Sequence, residues 1–252
     1  MKGFGLSDVG KKRLVNQDSF YGKELSDDCF YAVVCDGMGG AAGGGVASSI
    51  AKDVYCTELE KRLKLYFETK EGSAATVLPR MMRESVQVCN SFTYELSEGD
   101  RSLKGMGTTL VSALVYKSQI FLCNVGDSRA YGFSEKKSVQ LTKDHSFVQE
   151  LIDCGKMTEK EAKKSTQKNI ITRAIGVGKT VKPDSFVFER KDFRYLMLCT
   201  DGLSNDLEKK DLHRILFEPE EILSFEKKVQ FMVSLANERG GKDNITAYLI
   251  AL

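Results

Sequence analysis

Two periods of hydrophobicity run along this chain. Short apolar stretches at 29–35, 108–116, 119–125, 128–133, 185–189, 195–199 and 245–251 predict strands. Their apolar residues run almost without interruption, as in Tyr195-Leu196-Met197-Leu198-Cys199. Strands of that kind are covered on both faces. Helical spacing joins Ile50, Val54, Leu59, Leu63 and Phe67, and again Leu78, Met82, Val86, Cys89, Phe92 and Leu96. A third helix is predicted over 222–238. The strands between 108 and 133 are separated by two residues each, so they are expected to be antiparallel neighbours. Sheets packed on each other with helices outside would satisfy this pattern.

Residues 144–180 break it. They are polar, carry Lys156, Lys160, Lys163, Lys164 and Lys168, and hold two short helical stretches. This segment is expected to be a surface insertion, either a solvated face or a mobile flap bordering a site. No repeat or linker divides the chain, so a single catalytic domain over 1–252 is expected.

Composition narrows the function. The chain has 252 residues, 37 basic and 35 acidic, for a net charge of +2. So even a balance gives no general nucleic-acid footprint. No signal peptide or membrane-length apolar run is present, which predicts a cytoplasmic protein with no membrane partner. The seven cysteines form no CxxC pair and are expected to be reduced and buried. Only His145 and His213 are available, too few for a histidine-rich metal site or a Ser-His-Asp triad.

Aspartate beside glycine recurs where strands end. Asp36-Gly37 follows 29–35, Gly126-Asp127 follows 119–125, Asp201-Gly202 follows 195–199, and Asp243 precedes the last strand. One Asp-Gly is usually a turn. Four at strand ends place carboxylates on rigid supports, and clustered carboxylates call for hard cations such as Mg²⁺ or Mn²⁺.

The ordered series is Arg13-x-x-Asn16-Gln17-Asp18, Asp36-Gly37-Met38-Gly39-Gly40, Gly107-Thr108-Thr109, Gly126-Asp127-Ser128-Arg129-Ala130, Leu141-Thr142-x-Asp144-His145-Ser146, Ile171-Thr172-Arg173-Ala174-Ile175-Gly176, Thr200-Asp201-Gly202-Leu203 and Gly241-Lys242-Asp243-Asn244. It resembles the motif series of the type 2C (PPM) serine/threonine protein phosphatases across nearly the whole chain, in the bacterial form that has Met38 where many members have histidine. The resemblance implies an α+β fold, a four-layer α-β-β-α sandwich of two antiparallel sheets flanked by helix pairs. It implies two Mn²⁺ or Mg²⁺ ions and a third in the bacterial members. Asp36 would bridge two ions and position the nucleophilic water, with the Gly37 carbonyl helping to hold the second. Asp201 and Asp243 would bind the first ion, and Asp127 with Asp201 the third. Asp18 would act from the outer shell, through water. Arg13 would bind the substrate phosphate with its planar fork. Two cations roughly 3.5–4 Å apart would acidify the water for in-line attack on phosphorus. Met38 cannot donate a proton, so no general acid is assigned. Gln17 stands where many members have glutamate, which leaves a water-mediated contact to the second ion. His145 is expected to hold the segment entering 144–180. Thr108 and Thr109 are expected to shape the strand entry beneath the site, and Arg129 and Arg173 to form surface ion pairs rather than the alternative, contacts to the substrate.

The implied partners are phosphorylated proteins and an opposing bacterial Ser/Thr kinase, with the enzyme a monomer that binds neither nucleic acid nor membrane. Two alternatives stay open. A nucleotide-binding enzyme would use Gly37-x-Gly39-x-x-Ala42 or Gly178-Lys179-Thr180, but the parallel βαβ continuation is missing. A non-catalytic binding module on the same fold would be expected to have lost metal-site aspartates, whereas Asp36, Asp201 and Asp243 are present.

Overall fold

The computed structural model describes residues 1–39 and 43–252; Gly40 and Ala42 of the motifs above lie outside the described residues. Eleven strands form two antiparallel sheets among the described residues. They are β1 (Lys2–Asp8), β2 (Asp18–Ser26), β3 (Cys29–Met38), β4 (Gly107–Thr108), β5 (Leu110–Tyr116), β6 (Gln119–Val125), β7 (Arg129–Ser134), β8 (Lys137–Gln140), β9 (Asp184–Glu189), β10 (Tyr195–Cys199) and β11 (Ile245–Ala251). One sheet runs β1-β11-β10-β7-β8; the other runs β2-β3-β5-β6-β9, with β4 paired to β3.

The continuous apolar character of the strands now has a physical reason. Along β3, Phe30, Ala32 and Val34 point between the sheets, where they meet Leu196, Leu198, Tyr248 and Ile250 of the facing sheet. The alternate residues Tyr31, Val33 and Cys35 point outward into a second core shared with Ala51, Tyr55, Leu59, Met82 and Val86. Those residues belong to α1 (Gly43–Thr69) and α2 (Ala74–Gly99), the long helix pair. On the opposite side, Met197, Cys199, Ala247 and Leu249 pack against a third core with Leu212, Ile215, Val229 and Met232. In chain order the remaining helices are α3 (Phe147–Asp153), α4 (Glu159–Ala162), α5 (Asp201–Ser204), α6 (Lys209–Leu216) and α7 (Phe225–Arg239). The layers are therefore helix pair, sheet, sheet, helix pair, as expected. Helix α7 starts three residues later than the spacing predicts, because Ile222 belongs to the preceding turn.

One expectation fails. Strands β5 and β6 are antiparallel neighbours, but β6 and β7 are not paired. The short Gly126-Asp127-Ser128 link carries the chain from one sheet to the other. The rule for short connections assumes that both strands stay in one sheet. At this corner Gly126 has φ +102, a conformation that favours glycine, and its missing Cβ leaves room for Thr109. The corner delivers Asp127 to the gap between the sheets. All seven cysteines are free, as expected, and five are buried; against the expectation, Cys56 is half-buried and Cys154 is exposed.

Candidate active site

The ends of β3, β6, β10 and the start of β11 meet at one edge of the sandwich, and their aspartates line a cavity of ≈ 630 Å³. Asp36, Gly37, Asp127, Asp201, Asp243 and Arg13 all face it. Six of the seven predicted site residues are thus brought together from positions spread over the whole chain.

Local contacts explain why each is held. Asp36 is clamped through its backbone: its N–H donates to Thr109 Oγ1 at 2.9 Å, and its carbonyl accepts from the Thr108 hydroxyl at 2.8 Å and the Thr109 N–H at 2.9 Å. This is the strand-entry role expected of the two threonines. Gly37 lies so close to the Gly44 carbonyl that any Cβ would collide with it. Asp201 opens α5, and Asn205 donates to its Oδ2 at 3.0 Å.

Asp18 stands one layer back. It is opposite Asp36 in the β2–β3 register. Its Oδ2 accepts from Thr246 at 2.6 Å and Thr200 at 3.0 Å, while its Oδ1 is buried with no hydrogen-bond partner. Asn244 is a second supporting residue. Its Oδ1 accepts from the Gln17 N–H, and its Nδ2 donates to the carbonyls of Val9 and Val15, so it pins the loop that carries Arg13. Thr246 and Asn244 gave no sequence signal beyond their place beside Asp243. Lys12, Asn169 and Ile171 also line the cavity and were not expected there. The last two come from the 144–180 segment, which therefore borders the site.

That segment is fastened at both ends. Arg129 holds Asp144 through Nε and NH2, the shortest contact being 2.6 Å, and this pair is largely buried rather than superficial. The His145 N–H donates to the Gly126 carbonyl, and His145 Nδ1 accepts from the Gly126 N–H at 3.1 Å. The proton therefore resides on Nε2, which faces Asp184 at 3.2 Å. Burial pushes the imidazole's pKa down despite Asp184. Arg173 pairs with Asp184 at 2.9 Å. His145 thus ties the start of the 144–180 segment to the Gly126 corner, a structural role as anticipated, and so also braces that corner.

The electrostatics are those of crowded carboxylates. Burial, followed by the charges of Asp18, Asp201, Asp127 and Asp243, drives the Asp36 pKa well up. Burial and Asp243 raise Asp201, with Arg129 opposing. Asp127 is pushed up to about 7 by burial and Asp201. Asp18 is also pushed up to about 7, by burial above all. Among the described residues, no three His, Cys, Asp or Glu side chains are grouped closely enough to hold a metal ion as they stand. Asp243 presents both oxygens to Arg13, at 2.9 Å from Nε and 3.0 Å from NH2. The donor set nevertheless fits divalent cations. It is all oxygen, it is over-charged, and the orphaned Asp18 Oδ1 lies buried behind it.

Known proteins place this site in context. A family model for protein phosphatase 2C matches residues 9–249. The serine/threonine phosphatase stp of Listeria welshimeri is 35% identical over 244 residues, covering 97% of this chain and 93% of that protein. Protein phosphatase PhpP of Streptococcus pneumoniae is 32% identical over 250 residues, covering 98% and 96%. The crystal structure of serine/threonine phosphatase Stp1 from Staphylococcus aureus superposes with a TM-score of 0.87 at 33% identity, over 100% of this chain and 94% of that one. The family match over residues 9–249, the identity to the relatives over nearly the whole chain and the superposable layered sheets agree: the chain belongs to the protein phosphatase 2C family, the metal-dependent serine/threonine protein phosphatases, in its bacterial branch.

Proposed function

We propose that this chain hydrolyses phosphoserine and phosphothreonine on proteins at a binuclear Mn²⁺ or Mg²⁺ centre, with Asp36, the Gly37 carbonyl, Asp201 and Asp243 as ligands. The observation that carries this reading is the convergence of Asp36, Asp201, Asp243 and Arg13 on one cavity. Asp127 with Asp201 would hold a third ion. Divalent cations there would supply an acidified water and positive charge toward the phosphoryl oxygens.

The chain's own groups do the rest. Thr108 and Thr109 hold the Asp36 backbone on both sides, so the point from which its carboxylate enters the site is fixed. Asp18, steadied by Thr200 and Thr246, keeps one buried oxygen without a partner next to Asp36 in the sheet register, and it would act on the site through a water. Arg13 can turn its fork from Asp243 to a phosphate, which offers the same paired oxygens. Met38 lines the cavity and has no proton to give, so no side chain is assigned as general acid. Residues 144–180 would act as a flap on a single catalytic domain. The expected setting is cytoplasmic and monomeric, opposite a bacterial Ser/Thr kinase. No described helix is long and apolar enough to cross a membrane.

The test is phosphate release from a phosphothreonine peptide in EDTA, Mg²⁺ or Mn²⁺, beside Asp36→Ala and Asp201→Ala. Metal-dependent turnover that collapses in both variants supports the reading. A wild type that binds Mn²⁺ and releases no more phosphate than the variants would favour a binding module on the same fold.

A further inference from the structure

The cavity wall is divided by chemistry. Its floor is acidic, and one rim carries Lys12 and Arg13. Beside them lies an apolar rim of Leu14, Val15, Met38 and Ile171. Leu14 is 99% exposed and Val15 56% exposed, although an apolar side chain gains by being covered. Nothing about their loop is slack. Lys11 N–H donates to the Gly241 carbonyl at 2.7 Å, and Asn244 ties down Val9, Val15 and Gln17. Leu14 is therefore held out in water by an anchored backbone, next to the guanidinium that would take the phosphate. Ile171, which lines the same cavity, is fixed by a β-bridge to Ser146.

A substrate whose phosphate lies against Arg13 would carry its neighbouring residues past this rim, because Leu14 and Val15 follow Arg13 directly and line the same cavity. We propose that Leu14, with Val15 and Ile171, is a specificity surface that selects phosphoproteins carrying bulky apolar residues beside the phosphorylated serine or threonine. This rests on the phosphatase reading above and narrows its substrate class. The surface covers the flanking side chain without touching the reacting phosphorus, so it should act on peptides and be silent for a small aryl phosphate.

The test compares kcat/KM in Mn²⁺ for two phosphothreonine peptides that differ only in their flanking residues, leucine on both sides or serine on both sides, together with para-nitrophenyl phosphate. The wild type should prefer the leucine peptide by about tenfold. Leu14→Ser and Ile171→Ser should each bring that preference below about threefold, with aryl phosphate turnover within about twofold of wild type. A wild-type ratio near one with normal aryl phosphate turnover overturns the specificity surface alone, as does a preference that survives both substitutions. No turnover of any of the three substrates overturns the catalytic reading beneath it.

Discussion

Arg13 grips Asp243 with two parallel contacts, Nε to Oδ1 at 2.9 Å and NH2 to Oδ2 at 3.0 Å, across 230 residues of sequence. The group expected to bind phosphate and a carboxylate expected to bind metal are thus one electrostatic unit. The carboxylate also raises the arginine's pKa, so the guanidinium stays charged. Phosphate and cation should each loosen this clasp, because each offers one partner a better match.

A first prediction follows for Arg13. Arg13→Ala should lower kcat/KM on a phosphopeptide by about 10²–10³, the usual loss for one donor to a developing oxyanion. Arg13→Lys keeps the charge and loses the fork, so a smaller loss of about tenfold is expected. Mn²⁺ binding to Arg13→Ala, measured by calorimetry, should be no weaker than to wild type, because Asp243 is released. Weaker binding would mean that the clasp organises the metal site instead of competing with it.

The second concerns pH. Asp18 and Asp127 keep their protons to about 7 in the folded protein, against 3.8 ordinarily. A folded-state pKa that is raised gives stability present below 3.8 and lost as pH rises toward about 7. The metal-free protein should therefore lose this contribution steadily as pH rises from about 4 to about 7, most of it above pH 5. A cation binds the ionised folded cluster, so Mn²⁺ should raise Tm more at pH 7.5 than at pH 5. Equal shifts at both pH values would contradict the repulsion among these carboxylates.

Asp18 allows a sharper test. Asp18→Asn keeps an oxygen for the Thr200 and Thr246 hydroxyls and, at pH 8, above the raised pKa of about 7, removes a buried negative charge. In EDTA its Tm should rise by about 2–6 °C, since an uncompensated buried charge is destabilising. Metal-dependent turnover should fall nonetheless. A variant that is less stable in EDTA would show that the Asp18 charge is already compensated in the metal-free protein.

His145 should separate structure from chemistry. His145→Gln loses the acceptor for the Gly126 N–H, which the buried corner then lacks. Proteolysis within 144–180 should quicken and Tm should fall. The shape of the pH–rate profile should stay as in wild type. A lost acid or base limb would instead make His145 a participant in proton transfer.

Much of this could be seen in the chain, for identifiable reasons. Strand β10 is five consecutive apolar residues and β3 nearly so, because both are covered on two faces. The aspartates at their ends were visible because glycine marks each turn. Strands β1, β2 and β8 escaped notice. Each is a sheet edge with half-exposed positions, and Gly3, Gly5 and Gly22 take the place of apolar side chains where Tyr248, Phe20 and Phe30 fill the space. The crossing at Gly126 was hidden because connection length does not say which sheet receives the next strand. Thr246 and Asn244 were hidden because their function is to hold Asp18 and the Arg13 loop, contacts more than 200 residues apart in sequence. Leu14 looked like one more loop residue until its exposure and its place on the cavity rim were known.

The central claim is that the convergent aspartates hold the cations that drive hydrolysis. Equilibrium dialysis against Mn²⁺, with phosphothreonine peptide turnover measured on the same samples, tests it most directly. Wild type should bind at least two ions per chain and turn over in proportion to occupancy, while Asp36→Asn should lose both together. Undiminished turnover after exhaustive removal of metal, or an Asp36→Asn protein that binds and turns over as wild type does, would contradict the account.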